Sequence, residues 1–313
     1  MMKKRLWSRW ILALAVVWPC MAAAHDRVRE KENFDFDWKF ILNADDRANA
    51  GMQVSEAGWQ DVQLPHDWSI SQNFDPKLSG SNGHLPGGIG WYRKTFRVDK
   101  KDKGRRIAVL FDGIYSRSDV YVNGQHLGFR PYGFCYQEYD LTPYLNYGAE
   151  NVLAVRVNNP LEHDSVARWY TGAGIYRHTW LVKTAEVHVA SYGTYVTTPV
   201  VTAERAEVRV RTSVANEAKR TKTLSVRQQI TDGEGRTVVQ SGKQTLQVAA
   251  GQTQSIRSKS PVRSCGTRNI LIFILCIPQY MTGANWSIPT KRYSACVRAS
   301  SLPTAVSCST GSP

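Results

Sequence analysis

Asp119-Val-Tyr-Val-Asn-Gly-Gln-His-Leu-Gly128 is a complete β-hairpin signature. Alternating residues flank an Asn-Gly pair, and a two-residue type I′ turn needs positive φ at both central positions, which Asn and Gly tolerate best. Working outward, Arg106-Ile-Ala-Val-Leu-Phe111 is an almost unbroken apolar strand, and Trp91-Tyr-Arg-Lys-Thr-Phe-Arg-Val98 alternates large with polar residues, as a half-buried strand does. Asp140-Leu-Thr-Pro-Tyr-Leu145 reads as a short turn before the strand Asn151-Val-Leu-Ala-Val-Arg-Val157. From Phe34 to about Lys183 short strands are punctuated by Gly, Pro, Asn and Asp, and no helical period runs for a useful length. The fold class is all-β, opening with an antiparallel jelly-roll sandwich over residues 25–184.

A second series of period-two segments follows: Glu186–Ala190, Thr194–Thr197, Ala206–Val214, Leu224–Ile230, Thr237–Gln240 and Thr245–Val248. Their rhythm predicts an immunoglobulin-like sandwich over 185–261, incomplete because the pattern stops soon after Ile256. Residues 262–313 form a tail of different texture.

The first 24 residues read as a secretory signal. Lys3, Lys4, Arg5 and Arg9 precede the nine apolar residues Trp10 to Trp18, and Ala22-Ala-Ala24 supplies small residues for cleavage. Nine residues fall far short of the roughly 20 that span a bilayer as a helix. The chain is therefore expected to be exported, periplasmic or secreted. Cys20 sits in an imperfect lipid-attachment box, which leaves a lipid anchor as the alternative.

The net charge of +14 is misleading: four positive charges lie in the signal and five beyond residue 262, leaving +5 for residues 25 to 262 with no basic stripe. Phosphate-binding surfaces cluster their Lys and Arg, so no nucleic-acid partner is expected. Cys135 stands alone in the body and reads as a small buried residue. Cys265, Cys276, Cys296 and Cys308 are spaced by 11, 20 and 12 residues, which could pair as two disulfides in a secreted chain but fits no zinc pattern. Neither a metal nor a cofactor is expected.

The run Arg168-Trp-Tyr-Thr-Gly-Ala-Gly-Ile-Tyr-Arg-His-Thr-Trp180 is the densest in aromatic, basic and glycine residues. Together with Leu64-Pro-His-Asp-Trp-Ser-Ile70, Gly90-Trp-Tyr-Arg-Lys-Thr-Phe96 and Val120-Tyr-Val-Asn-Gly124, it resembles the non-catalytic front of glycoside hydrolase family 2, the β-galactosidase type. The resemblance covers roughly residues 34 to 260. It implies a galactose-binding-like jelly roll, then an immunoglobulin-like domain, in an enzyme that cleaves terminal β-galactosides by a retaining route. Leu-Pro-His-Asp-Trp leans toward β-galactosidases over β-glucuronidases.

In similar enzymes loops of the front sandwich reach the rim of the barrel's pocket. That makes Asn82, His84, Asp164, Ser165, Arg168, Trp169 and Tyr170 the candidate sugar contacts and a β-galactoside-like carbohydrate the expected partner. Arginine forks toward hydroxyls, and Trp or Tyr stacks on the apolar faces of sugar rings. Tyr176 and Trp180 read as packing residues and Arg177 as a structural ion-pair partner. His66, Asp67 and Ser69 are too close in sequence to form a relay; Asp67 is expected to bond backbone and Trp68 to pack. Gly80, Gly83, Gly87, Gly88 and Gly90 precede no helix, so they make no phosphate cradle and read as a flexible loop or a turn.

Retaining glycosidases need two carboxyl groups about 5–5.5 Å apart, which the resemblance places on barrel strands, one of them in an Asn-Glu pair. The only such pair here, Asn216-Glu217, ends a sandwich strand. No α/β alternation exists, so no catalytic residue is assigned and the chain itself is expected to be inactive. A free-standing carbohydrate-binding module is the alternative, and a structural interaction protein a third.

After Pro261 no Asp or Glu occurs, and Asn269-Ile-Leu-Ile-Phe-Ile-Leu-Cys-Ile277 is uncharged. One reading is a buried closing strand followed by a disordered basic end. The other is translation out of frame. Joining the third base of each codon to the first two of the next, Met281-Thr282 must give Asp and Asn285-Trp286 must give Leu. Cys265 to Ile274 then permit Trp-Asp-Thr-Glu-His-Pro-Tyr-Leu-Tyr, which resembles what family 2 enzymes carry where the second sandwich ends. Sequencing codons 255 to 270 separates the two readings. In either case the uncharged run is an aggregation-prone window, and poor solubility is expected.

Overall fold

The computed structural model describes residues 29–42, 45–160, 169–202, 205–232, 236–263 and 270–278. The signal segment with Cys20, the candidates Asp164, Ser165 and Arg168, and Cys265, Cys296 and Cys308 lie outside the described residues; of Cys276, only the backbone is described.

Apart from short 3₁₀ turns, the described elements are strands. In the first body β1 (Glu30–Asn33), β2 (Trp38–Leu42), β3 (Gln60–Val62), β4 (Gly88–Arg97) and β5 (Arg106–Phe111) are followed by β6 (Ser118–Val122), β7 (Gln125–Arg130), β8 (Gln137–Asp140), β9 (Glu150–Asn159) and β10 (Thr179–Thr184). They form a six-stranded sheet in the order β3-β2-β4-β9-β6-β7 and a four-stranded sheet in the order β1-β10-β5-β8, antiparallel throughout. Between them lies an aromatic-rich core that includes Trp38, Trp68, Tyr92, Phe111, Ile114 and Ile175.

Asn123 and Gly124 form the expected turn, with φ of 51° and 83°, and Val122 pairs with Gln125 across it. The Asn123 amide is also anchored to the next hairpin: its nitrogen donates to Tyr144 O and Asn151 Oδ1, each at 2.8 Å, and its oxygen accepts from Val152 N at 2.8 Å. β5 pairs with β10 on one edge and β8 on the other, and Ile107 to Phe111 are all buried, so its apolar side chains are covered on both faces.

One strand differs from expectation. Trp91, Tyr92, Arg93 and Lys94 are all buried, so β4 is not half-buried at that end. Tyr92 enters the main core, while Trp91 packs outward with Ala50, Tyr121 and Ala154. A loop over the outer face makes the difference. The guanidinium of Arg93, 1 % exposed, donates to Glu56 Oε1 (3.0 Å), Asn49 O (2.5 Å) and Gly51 O (2.7 Å), fastening residues 49–56 across the sheet.

The second body contains β11 (Val187–Val201), β12 (Arg205–Asn216), β13 (Lys222–Asp232), β14 (Thr237–Gln240), β15 (Gln244–Val248) and β16 (Gln252–Arg263), with β17 (Ile270–Pro278) after it. One sheet has the order β11-β12-β16. The other centres on β13, which pairs with β14 and β15 on one side and with β17 on the other. Val208, Val210, Val214, Leu224, Val226, Ile230 and Val248 fill the space between. The two separate segments predicted at 186–190 and 194–197 are one bulged strand. The apolar run after residue 269 is a strand, from Leu224 opposite Pro278 to Asp232 opposite Ile270. Backbone pairing of this kind is indifferent to how the codons arose.

Arg106 joins the bodies: it pairs with Glu138 (2.8 Å) on β8 and with Glu217 (2.9 Å) just after β12. The only Asn-Glu pair is thereby accounted for. Asn216 is buried, its amide nitrogen donating to Arg220 O and Val248 O at 2.9 Å each, and Glu217 serves the seam. No helix among the described residues is long and apolar enough to cross a membrane.

A candidate carbohydrate-binding site

Two of the quoted motifs zip together at one end of the first sandwich. His66 N donates to Ile175 O at 2.8 Å and Trp68 N to Ala173 O at 3.1 Å, so Leu64–Ile70 lies alongside the Thr171-Gly-Ala-Gly-Ile175 backbone. Trp68 is buried and stacks on Phe40, with centroids 5.5 Å apart. Asp67 is the hub. Its Oδ1 accepts from Ser69 N (3.0 Å) and Ala173 N (2.9 Å), and its Oδ2 accepts from the Tyr170 hydroxyl (2.5 Å). Burial and then the Asp67 bond push the Tyr170 phenol well above its ordinary range, so it stays a donor.

The glycines of this run serve packing. A Cβ on Gly174, where φ is 122°, would fall 2.3 Å from the Tyr92 hydroxyl and 2.7 Å from His66 O; one on Gly172, where φ is 71°, would fall 2.6 Å from Asp67 Oδ2. Only glycine allows such approach at these angles. His66 and Ser69 form no relay, as expected: His66 Nδ1 shares a 2.8 Å bond with Tyr92 Oη, and the buried Ser69 hydroxyl donates to Pro86 O at 2.9 Å.

The glycine-rich loop lies against the same end. Gly80–Asn82 is a 3₁₀ turn, and the Thr171 hydroxyl donates to Asn82 Oδ1 at 3.1 Å. Its later part is fixed rather than flexible: a Cβ on Gly87 would fall 2.2 Å from Asn159 O, and one on Gly90 would fall 2.7 Å from the Phe40 ring. Of the candidates, Asn82, Trp169 and Tyr170 therefore gather at one place, with Trp169 60 % exposed. His84 is exposed too, but its Nδ1 bonds Leu78 O at 2.8 Å within its own loop.

The flanking residues behave as packing and seam elements. The Tyr176 hydroxyl donates to Gly133 O at 3.0 Å, and Trp180 donates to Asp112 at 2.8 Å beneath the Lys31 ammonium. Arg177 departs from expectation: it is exposed and joins none of the ion pairs among the described residues. Cys135 is also a correction, being partly exposed, with its thiol near Tyr132 O at 3.6 Å, because residues 131–136 cross the surface between β7 and β8. Sequence reasoning missed what this crossing carries, the rings of Tyr132 and Phe134 beside Trp169. Their signal was available as a dense aromatic stretch, Tyr132-Gly-Phe-Cys-Tyr136, that obeys no strand alternation. Among the described residues no group of three His, Cys, Asp or Glu side chains could hold a metal ion.

Comparison with known proteins identifies the family of the chain. Residues 32–185 match the sugar binding domain of glycosyl hydrolases family 2. The chain is 41% identical to the β-galactosidase BoGH2A of Bacteroides ovatus over 254 residues, which are 77% of this chain and 29% of that protein. It is 32% identical to a β-glucuronidase of Formosa agariphila over 263 residues, 75% of this chain and 26% of the relative. Among solved structures, a family 2 member from Bacteroides cellulosilyticus superposes with a TM-score of 0.71 at 34% identity, covering 80% of this chain and 33% of that one. A family 2 β-glucuronidase superposes with a TM-score of 0.71 at 28% identity, covering 80% and 29%. The chain thus spans less than a third of the length of these relatives. By its sheets, its motifs and this matched domain, the chain belongs to glycosyl hydrolase family 2, residues 32–185 being the family's sugar binding domain.

Proposed function

We propose that this chain is the carbohydrate-recognising front of an exported family 2 glycoside hydrolase of the β-galactosidase type, and that it binds β-galactosides without cleaving them. The observation that carries the reading is the Asp67 hub, which holds the Trp169-Tyr170 run and, through Thr171, the Asn82 loop at one end of the sandwich. A hydroxyl-rich ligand is suited to that end, with amide and phenol groups beside an exposed indole. The absence of cleavage follows from the proposal that the opposed carboxyl pair belongs to a barrel: the described elements are sheet strands, and Glu217 of the lone Asn-Glu pair is taken by Arg106.

In this reading residues 25–184 are the jelly roll, 185–261 an incomplete immunoglobulin-like domain, and 262–313 a stretch read out of frame. Sequencing the gene across codons 255 to 270 tests the last point; an intact frame there removes it. Titration calorimetry with methyl β-galactoside and a matched β-glucuronide, beside a chromogenic galactoside assay, tests the rest. Galactoside binding with no released chromophore is expected. Hydrolysis by pure chain, or no saccharide binding at all, overturns the proposal, and preference for the glucuronide shifts it to the other named group of relatives.

A further inference from the structure

Beside the candidate site stands an aromatic row whose presence the fold does not require. Tyr132, Phe134 and Trp169 are 61%, 42% and 60% exposed, with Phe134 5.8 Å from Tyr132 and 6.4 Å from Trp169 between ring centroids. The row has a firm base. Tyr115 and Tyr176 pack on Phe134 at 5.1 and 6.4 Å, and the Tyr176 hydroxyl donates to Gly133 O. A Cβ on Gly133 would fall 2.4 Å from the Tyr115 ring, so the segment is pressed flat on the sandwich with its rings outward. Contiguous exposed rings of this size mark a contact surface.

Their arrangement indicates what they contact. The row contains aromatic rings and no aliphatic side chain, which suits the C–H faces of pyranoses. The Phe134 ring is inclined by 70° to Tyr132 and by 51° to Trp169, so the row presents successive separate faces rather than one plane for a flat ligand. It is also continuous with the site above, since Trp169 leads directly into Tyr170 and Thr171. From this we infer that Tyr132 and Phe134 form an extended subsite holding the second and later rings of an oligosaccharide whose terminal residue sits at Asn82 and Tyr170. The inference rests on the recognition proposed above.

The test is intrinsic fluorescence titration of the full chain at sub-micromolar concentration with methyl β-galactoside and with β-1,4-galactotetraose. The tetraose is expected to bind at least about tenfold more tightly, the scale of one or two stacked rings. Phe134→Ala and Tyr132→Ala should each remove most of that advantage and leave methyl β-galactoside affinity unchanged. Should Phe134→Ala lower the melting temperature, Phe134→Leu preserves volume and removes the ring, and is expected to give the same loss. Equal affinity for the two probes, or variants that keep the length advantage, overturns the subsite and leaves terminal recognition standing. Absence of binding by either probe overturns both.

Discussion

Replacing Asp67 tests whether one carboxylate organises the candidate site. Asp67→Ala leaves Ser69 N and Ala173 N without their acceptor and the Tyr170 hydroxyl without its partner. Hydrogen bonds to a charged group contribute about 1.5–3 kcal/mol each, and the Ala173 amide lies in a buried stretch where water cannot fully replace the loss. With partial relaxation the cost is about 3–5 kcal/mol. For folded bodies of this size that corresponds to a melting temperature lowered by roughly 10 °C. Asp67→Asn is the control: its carbonyl oxygen still accepts from both amides, and its amide group faces a phenol oxygen that can accept. It should cost about 1 kcal/mol. Urea unfolding followed by tryptophan fluorescence reads both variants. If Asp67→Ala falls within about 1 kcal/mol of the parent, or matches Asp67→Asn, the hub is not what holds the two motifs together.

Gly174→Ala should be at least as damaging, about 3 kcal/mol or more, since it combines the 2.3 Å clash with Tyr92 and a φ that L-residues avoid; loss of soluble folded material in expression trials is the expected result. His188, packed near Arg29 and Arg106, is held down to about pH 4 chiefly by burial. Its stabilising neutrality is complete above the unfolded value of 6.5 and is lost as pH falls toward 4, so His188→Gln should flatten the stability profile in that window by about 1–3 kcal/mol, read from urea midpoints at fixed pH. In β17 the described strand carries no charge, and Ile274→Lys should reduce light scattering of the purified chain, while unchanged scattering would clear this strand of blame.

Much of the fold was legible because its strongest signals are local. The Asn123-Gly124 turn requires positive φ at both positions, and a five-residue apolar run such as Ile107–Phe111 has nowhere to go but a central strand. β4 was misread because alternation cannot report a cover supplied from elsewhere. Arg93 and Lys94 look solvent-facing in sequence until earlier backbone carbonyls accept from them, those of Asn49 and Gly51 from Arg93 and that of Phe36 from Lys94. The site was legible in part. Asp67 announced itself as a backbone-bonding residue within its motif, and Asn82 and Tyr170 were placed near each other by resemblance alone. The ring row was overlooked because Tyr132 and Phe134, on one crossing of the surface, meet Trp169 from another, and no sequence period links the two crossings.

Arg106 also bears on the mechanics of the molecule. Its strand is threaded through the middle of the smaller sheet, yet its guanidinium also grips Glu217 at the root of the neighbouring body. Arg106 shares that seam with other contacts: the Arg29 guanidinium donates to Val189 O, and the Tyr136 and Tyr192 rings lie 4.5 Å apart, so the two bodies are joined at several points. Load applied to the second body therefore reaches the first through a seam of several contacts, of which the partly exposed Arg106–Glu217 pair is one.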